Sequence, residues 1–232
     1  DKLIHIWDAA SGAPVREIGG HRASVTVLAF GRGSKLLASG SRDRSVRLWD
    51  VETGAPLRTM ADSDYSVAFV SFDAKGLRLA AGFTLPDEQL GETVVRGSNT
   101  VRIFDVDDGA LLGVHHGPNK QLVAGGFSPD GRWLFSASRD STLWTWDLHT
   151  GNEEILLGHE GPVVDAAFSP RDGRLVSAAL GKELKLWSSG SGLGFTLRGH
   201  RSMLMELSFA QGGERLVSAS MDSTLRIWNV RS

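Results

Sequence analysis

The sequence predicts an all-β protein assembled from one repeated four-stranded unit, and three observations predict it. An aromatic residue closes a short run at positions 7, 49, 104, 146, 187 and 228, giving spacings of 42, 55, 42, 41 and 41 in a chain of 232 residues. A repeat near that length suits four strands rather than a helical pair. The 28 glycines and the short alternating runs between tight-turn signals point the same way. Third, the stretch Gly40–Asp50 (GSRDRSVRLWD) is echoed at Asp1–Asp8, Asp140–Asp147 and Asp222–Asn229, with weaker copies ending at Phe104-Asp105 and Trp187-Ser188.

The strands follow in order. Leu3–Trp7 and Ala13–Ile18 form a first pair around the turn Asp8–Gly12, where Gly12 suits positive φ. After Gly20-His21 come Val25–Phe30, Leu36–Ser41, Val46–Trp49 and Pro56–Met60. Tyr65–Phe72, Leu77–Phe83, Thr100–Phe104 and Ala110–Val114 make the next unit. Gln121–Phe127, Arg132–Ser138, Thr142–Trp146 and Glu153–Leu157 make another, then Val163–Phe168, Arg174–Ala179, Leu184–Trp187 and Gly194–Leu197. Met203–Phe209, Arg215–Ser220 and Thr224–Trp228 end the series. Ser128–Gly131, His149–Gly151 and Arg171–Gly173 are among the turns that separate them.

Bulk properties narrow the partners. A formal net charge of −2 gives no electrostatic reason for nucleic acid or an anionic membrane as partner. The absence of cysteine excludes disulfides and thiolate metal sites. No apolar run approaches the roughly 20 residues of a membrane helix, and no signal-peptide pattern opens the chain, so a cytoplasmic location is expected. Because the chain opens in mid-motif at Asp1, it reads as a piece of something longer.

Gly20-His21 stands 28 residues before Trp49, with Ser39-x-Ser41-x-Asp43 between, and Phe127-Ser-Pro-Asp-Gly131 marks the same turn in another copy. Together these residues resemble the WD-repeat β-propeller family over nearly the whole chain. The resemblance implies antiparallel four-stranded blades, strands a to d from inside to outside, packed face to face around a channel. Residues 1–19 would be a partial blade, 20–60, 61–116, 117–157 and 158–197 full blades, and 198–232 a blade lacking its outer strand. The chain is then an arc or part of a ring of about six or seven blades. The remaining blades would come from flanking sequence or another chain.

The resemblance also implies a hydrogen-bonded network in each blade. His21, Ser39, Asp43 and Trp49 form one complete set, and His200, Ser218, Asp222 and Trp228 another. His159, Ser177 and Trp187 form a third with Gly181 at the Asp position. Ser136, Asp140 and Trp146 form a fourth with Pro118 at the His position and His115-His116 just before it. A Ser/His/Asp set invites nucleophilic catalysis, but a triad occurs once, with an exposed nucleophile and an oxyanion hole. Recurrence at fixed spacing inside strands indicates a structural network instead. Gly190–Gly194 has no helix after it to bind phosphate, and the seven histidines lack carboxylates at metal-ligand spacing. No catalytic residue, metal or cofactor is expected.

Function should therefore lie where the copies differ. The long spacing reflects an insertion at Thr84–Ser98, which carries Asp87, Glu88 and Glu92 against Arg96. The same blade has Ser63, Asn99 and Phe104 in place of His, Asp and Trp. In the resembled family the residues three and five after the His, and the one before the turn Asp, face the partner. Here these are Ser24, Thr26 and Arg42, then Gln121, Val123 and Arg139, then Pro162, Val164 and Leu180, and finally Met203, Met205 and Met221. Flexible, polarisable Met side chains suit partners of variable shape. The expected function is a non-catalytic protein–protein interaction scaffold that binds a peptide or domain. The alternatives are the regulatory or sensor part of a larger enzyme and, in third place, a small-molecule or sugar-binding channel.

Overall fold

The computed structural model describes every residue except 32, 64, 85–98, 119, 189–191, 211 and 231–232. Among the described residues, twenty-one strands and no helix form six antiparallel sheets. β1 (Ile4–Trp7) and β2 (Pro14–Ile18) form a pair. The first full blade holds β3 (Val25–Gly31), β4 (Leu36–Ser41), β5 (Ser45–Asp50) and β6 (Pro56–Asp62). The second holds β7 (Ser66–Phe72), β8 (Arg78–Thr84), β9 (Thr100–Asp105) and β10 (Leu111–His116). The third holds β11 (Leu122–Phe127), β12 (Trp133–Ser138), β13 (Leu143–Asp147) and β14 (Glu153–Leu156). The fourth holds β15 (Val163–Phe168), β16 (Leu175–Ala179), β17 (Glu183–Ser188) and β18 (Gly192–Arg198). The last blade has three strands, β19 (Leu204–Phe209), β20 (Arg215–Ser220) and β21 (Leu225–Asn229). Within each blade the strands pair in chain order.

Innermost strands lie next to one another, β3 with β7, β7 with β11, β11 with β15 and β15 with β19. In the full blades the second strand is covered on both faces, which is why β4, β12 and β16 are almost wholly buried and carry small residues rather than polar alternation. Cores form between blades as well as within them. Ala38, Val46 and Leu48 pack with Leu79, Phe83 and Phe104 across one boundary. Val176, Leu184 and Leu186 pack with Leu204, Leu207 and Leu216 across another. Every innermost strand also carries a bulge near its start, at Val25/Val27, Val67/Phe69, Leu122/Ala124, Val163/Asp165 and Leu204/Glu206. The bulge re-aims backbone groups across the blade boundary. Leu207 N–H thus donates to Asp165 Oδ2 at 2.9 Å.

Arginines tie one blade to the next. Arg16 donates to the carbonyls of Thr53 (3.0 Å) and Glu52 (2.7 Å), Arg58 to that of Asp107 (2.9 Å) and Arg78 to that of Gly131 (2.6 Å). Arg174 reaches the Val230 carbonyl likewise.

Three strand ends differ from expectation by two residues, and β10 runs on to His116 opposite Thr100. β6 runs on to Asp62 opposite Ser45, and β18 starts at Gly192, where the Leu186/Trp187 bulge lets the ladder continue. The last blade is uncovered on one side. Leu225 and Ile227 are 72% and 67% exposed, whereas their counterparts Val46 and Leu48 are 0% and 3% exposed.

One ring is seated by glycines on both sides. A Cβ at Gly82 would lie 2.2 Å from Phe69 Cε1, and one at Gly125 would lie 2.1 Å from Phe69 Cζ. Gly125→Ala should therefore destabilise by about 1–3 kcal/mol through overpacking, and Phe69→Leu in the same chain should recover part of the loss. Denaturant titration of the single and double variants checks both.

Candidate functional site

The chemistry-bearing side chains fall into two layers, a buried network in each blade and the residues just above it. In the first full blade Trp49 Nε1–H donates to Ser39 Oγ at 2.7 Å, and Ser39 Oγ lies 2.6 Å from His21 Nε2. His21 Nδ1 lies 2.9 Å from Asp43 Oδ2, which also accepts Arg22 N–H at 2.7 Å. The Asp43 carboxylate can only accept, so His21 Nδ1–H donates to it, Nε2 accepts from the Ser39 hydroxyl, and that hydroxyl accepts from the indole. The last blade repeats this chain with Trp228, Ser218, His200 and Asp222 at 2.8, 2.8 and 2.9 Å. Burial alone would raise the Asp43 carboxyl. The Ser45 hydroxyl, Arg22 N–H and His21 outweigh it and hold the group far below the usual carboxylate range. The turns that present these carboxylates are closed by a left-handed residue, Arg44 at φ 72° and Ser223 at φ 66°. Ser39 and Ser218 are fully buried, and a nucleophile needs access to substrate.

The other blades depart from this arrangement in three ways. In the second, Ala81 and Phe104 replace the Ser–Trp pair with apolar contact. Asn99 turns to the following blade instead, donating to the Pro118 and Lys120 carbonyls at 2.7 Å each. In the third, Asp140 caps its turn through Thr142 N–H (3.0 Å), but Ser136 Oγ is buried without a hydrogen-bond partner. His116 is exposed, and His115 packs on the Trp146 ring at 5.3 Å, so neither substitutes for the missing His. In the fourth, Trp187 and His159 bond Ser177 Oγ at 2.8 and 2.6 Å, and Gly181 supplies no carboxylate. Burial, then the nearby Lys185, lowers the His159 pKa to about 4.

Above the network, one backbone bond recurs. Arg42 N–H donates to Ser24 O, Arg139 N–H to Gln121 O, Leu180 N–H to Pro162 O and Met221 N–H to Met203 O, at 2.9, 3.0, 2.8 and 2.9 Å. Leu204 N–H donates to Gly181 O at 3.1 Å and so places Met203 beside Leu180 across the blade boundary. Met203, Met221 and Leu180 are 41%, 59% and 44% exposed, and Arg42 and Arg139 are exposed as well.

The residues five after the His position behave differently. Val123 and Val164 pack in the cores between blades, and Thr26 Oγ1 donates to the Gly40 and Val67 carbonyls at 3.2 and 3.1 Å. An innermost strand turns this position toward its neighbour, so the exposure of Met205 goes with the uncovered side of the last blade. Gln121 is half-buried with Oε1 unpartnered, and Pro162 is half-buried. Asp87, Glu88 and Glu92 lie outside the described residues. Among the described residues no group of His and carboxylates could hold a metal ion. Ala179 was missed as a functional signal: it stands where Ser41 and Ser220 cap their turns through Asp43 N–H (3.0 Å) and Asp222 N–H (3.1 Å).

The stacked meanders with a Trp–Ser–His–Asp chain define a β-propeller of four-stranded repeats. The family model for the WD domain, G-beta repeat, matches residues 12–50, 109–147, 152–188 and 192–229, well over half of the sequence. The chain belongs to the WD-repeat family, whose members mediate protein interactions and are generally non-catalytic. The unmatched interval holds most of the second full blade, which has no such network. Among similar proteins is the U3 small nucleolar RNA-associated protein 21 of Saccharomyces cerevisiae, 57% identical over 35 residues, or 15% of this chain and 4% of that protein. The Schizosaccharomyces pombe homologue of that protein and human WD repeat-containing protein 36 are 42% and 36% identical. Each match covers 52 residues, or 22% of this chain and 6% of the relative.

Two outcomes follow for stability. Asp43→Ala leaves a buried imidazole donor unpaired and should cost about 3 kcal/mol in a denaturant titration. Acid should weaken the fold in two stages. His159 protonates less readily folded than unfolded, so stability falls as pH drops from the ordinary ~6.5 to about 4. Asp43 and Asp222 titrate lower when folded, so their contribution is complete above ~3.9 and is lost below it. Burial lowers the His115 pKa too, so His159→Gln should shrink the first stage and leave the second unchanged, as followed by urea midpoints across pH.

Proposed function

We propose that the chain is a non-catalytic platform that binds a partner polypeptide through the face formed by Leu180, Met203 and Met221, with Arg42 and Arg139 further along the same row. The observation that carries this reading is that two backbone hydrogen bonds, Met221 N–H to Met203 O and Leu204 N–H to Gly181 O, bring three exposed apolar residues next to one another along the chain trace. The described counterparts of Met221, namely Arg42, Arg139 and Leu180, are all exposed, so its exposure does not depend on an absent neighbour. Apolar residues with cationic points are common at protein interfaces.

A net charge of −2 favours protein over nucleic acid as the partner. The cytoplasmic setting stays part of the proposal. The nucleolar RNA-associated names belong to relatives of which the match spans 4% and 6%. No helix among the described residues is long and apolar enough to cross a membrane. The uncovered side of the last blade, with Leu225, Ile227 and Met205, is proposed to take a further blade from flanking sequence or another chain.

The test is Met203→Ser/Met221→Ser. Unfolding free energy should stay within about 1 kcal/mol of the unaltered protein, as for surface positions. Proteins recovered by affinity purification with the unaltered chain as bait should be depleted with the variant. Collapse of stability would make these residues core, and an unchanged set of recovered proteins would remove the face from the function.

A further inference from the structure

We infer that the fourth full blade holds an open receptor for a carboxylate, and that its occupant is an acidic side chain of the partner polypeptide. This rests on the interaction reading and names what the partner must bring.

The donor is fixed by the same proton chain that orders the complete networks. Trp187 Nε1–H donates to Ser177 Oγ at 2.8 Å, and Ser177 Oγ lies 2.6 Å from His159 Nε2. The indole fills one acceptor site of Ser177 Oγ, and among the described residues His159 Nε2 is the acceptor offered to the hydroxyl proton, which leaves the imidazole proton on Nδ1. In the first full and last blades that N–H meets an aspartate at 2.9 Å. Here Nδ1 has no hydrogen-bond partner among the described residues. The main-chain N–H of Glu160 stands where Arg22 and Arg201 donate to the same carboxylates, at 2.7 and 2.8 Å. His159 lines an open cleft, so this N–H is within reach of solvent and of a ligand, and a carboxylate is its strongest partner.

The space is open as well. Gly181 replaces the aspartate and Ala179 the capping serine, and Lys182 lacks the left-handed conformation of Arg44 and Ser223. Without those bonds the turn does not close. A cleft of about 440 Å³ results, lined by His159, Glu160, Gly161, Leu180, Gly181 and Lys182. A Cβ added at Gly181 would meet nothing within 4 Å. Lys182, Lys185, Glu160 and Glu183 supply the charges at the cleft, and Glu183 is engaged by Arg198 at 2.5 Å. The two lysines are thus opposed mainly by Glu160. Leu180 lines the cleft and also belongs to the methionine face, so a carboxylate seated on His159 has an apolar wall beside it. An Asp or Glu with an apolar neighbour in its own chain fits both.

The test titrates the intact protein, labelled with ¹³C-histidine, with acetyl-Asp-Leu-amide, acetyl-Asn-Leu-amide and acetate at fixed ionic strength, and follows the His159 ring resonances. The Asp peptide should shift them saturably, and the Asn peptide and acetate should bind at least about tenfold more weakly. Gly181→Asp places a carboxylate in the cleft from within. It should raise the His159 midpoint by about one pH unit or more and abolish the Asp-peptide response. Equal responses to the Asp and Asn peptides would overturn the carboxylate receptor. Acetate binding as tightly as the Asp peptide would overturn the polypeptide source. An unchanged Asp-peptide affinity in Gly181→Asp would overturn the location. These readouts do not involve Met203 or Met221, so a negative result here leaves the methionine face standing, and failure of that face leaves this site standing.

Discussion

A tryptophan indole has one N–H and nothing with which to accept, and that one-way character runs through every complete blade. Once Trp49 has spent its proton on Ser39, the serine, the imidazole and the carboxylate have a single consistent order. A buried polar chain of this kind stabilises only when every member is satisfied. The blades that depart from it show both consequences. The second blade replaces Ser and Trp with Ala81 and Phe104 and gives Asn99 a separate set of carbonyls. The third keeps Ser136 without the histidine, and its hydroxyl is left buried and unpartnered. An orphan of that type costs about 1–3 kcal/mol. The Phe135–Phe168 edge contact at 5.2 Å and the Trp146 core around Leu122 and Leu134 lie in or beside the same blade and offset such a loss.

The blades are bound to one another by a different means. Their buried faces are shared, and most of the arginine side chains that reach across end on backbone carbonyls, while Arg171 meets the Glu214 carboxylate at 2.9 Å. A carbonyl is present at every turn whatever its sequence, so the links tolerate variation in the turns they hold. Guanidinium forks suit such sites because they offer several donors in one plane. The apolar surface at Leu225 and Ile227 shows what a blade face looks like without its neighbour.

Most of the fold was legible in the sequence because period, alternation and turn residues are local signals. The strand ends at Asp62 and Gly192 were not, since bulges set them and bulges depend on the partner strand. Met203 and Met221 were legible as neighbours because the repeat itself superimposes two distant segments. The packing of Val123 and Val164 was not, because which side an innermost strand buries is decided by the next blade. Gly181 could be read as a missing aspartate. That its loss leaves a cleft depends also on Ala179 and on the backbone at Lys182, and no single-position comparison shows that.

The recurrent bond between the residue before the turn and the residue three after the histidine has a consequence for how such a protein changes over time. It uses only main-chain atoms, at 2.8–3.0 Å in four blades, while the side chains at those positions range from Ser24 and Arg42 to Met203 and Met221. The scaffold thus reserves a row of sockets whose contents its own architecture does not consult. A lineage can rewrite those letters freely, exchanging one clientele for another, without renegotiating the framework that displays them.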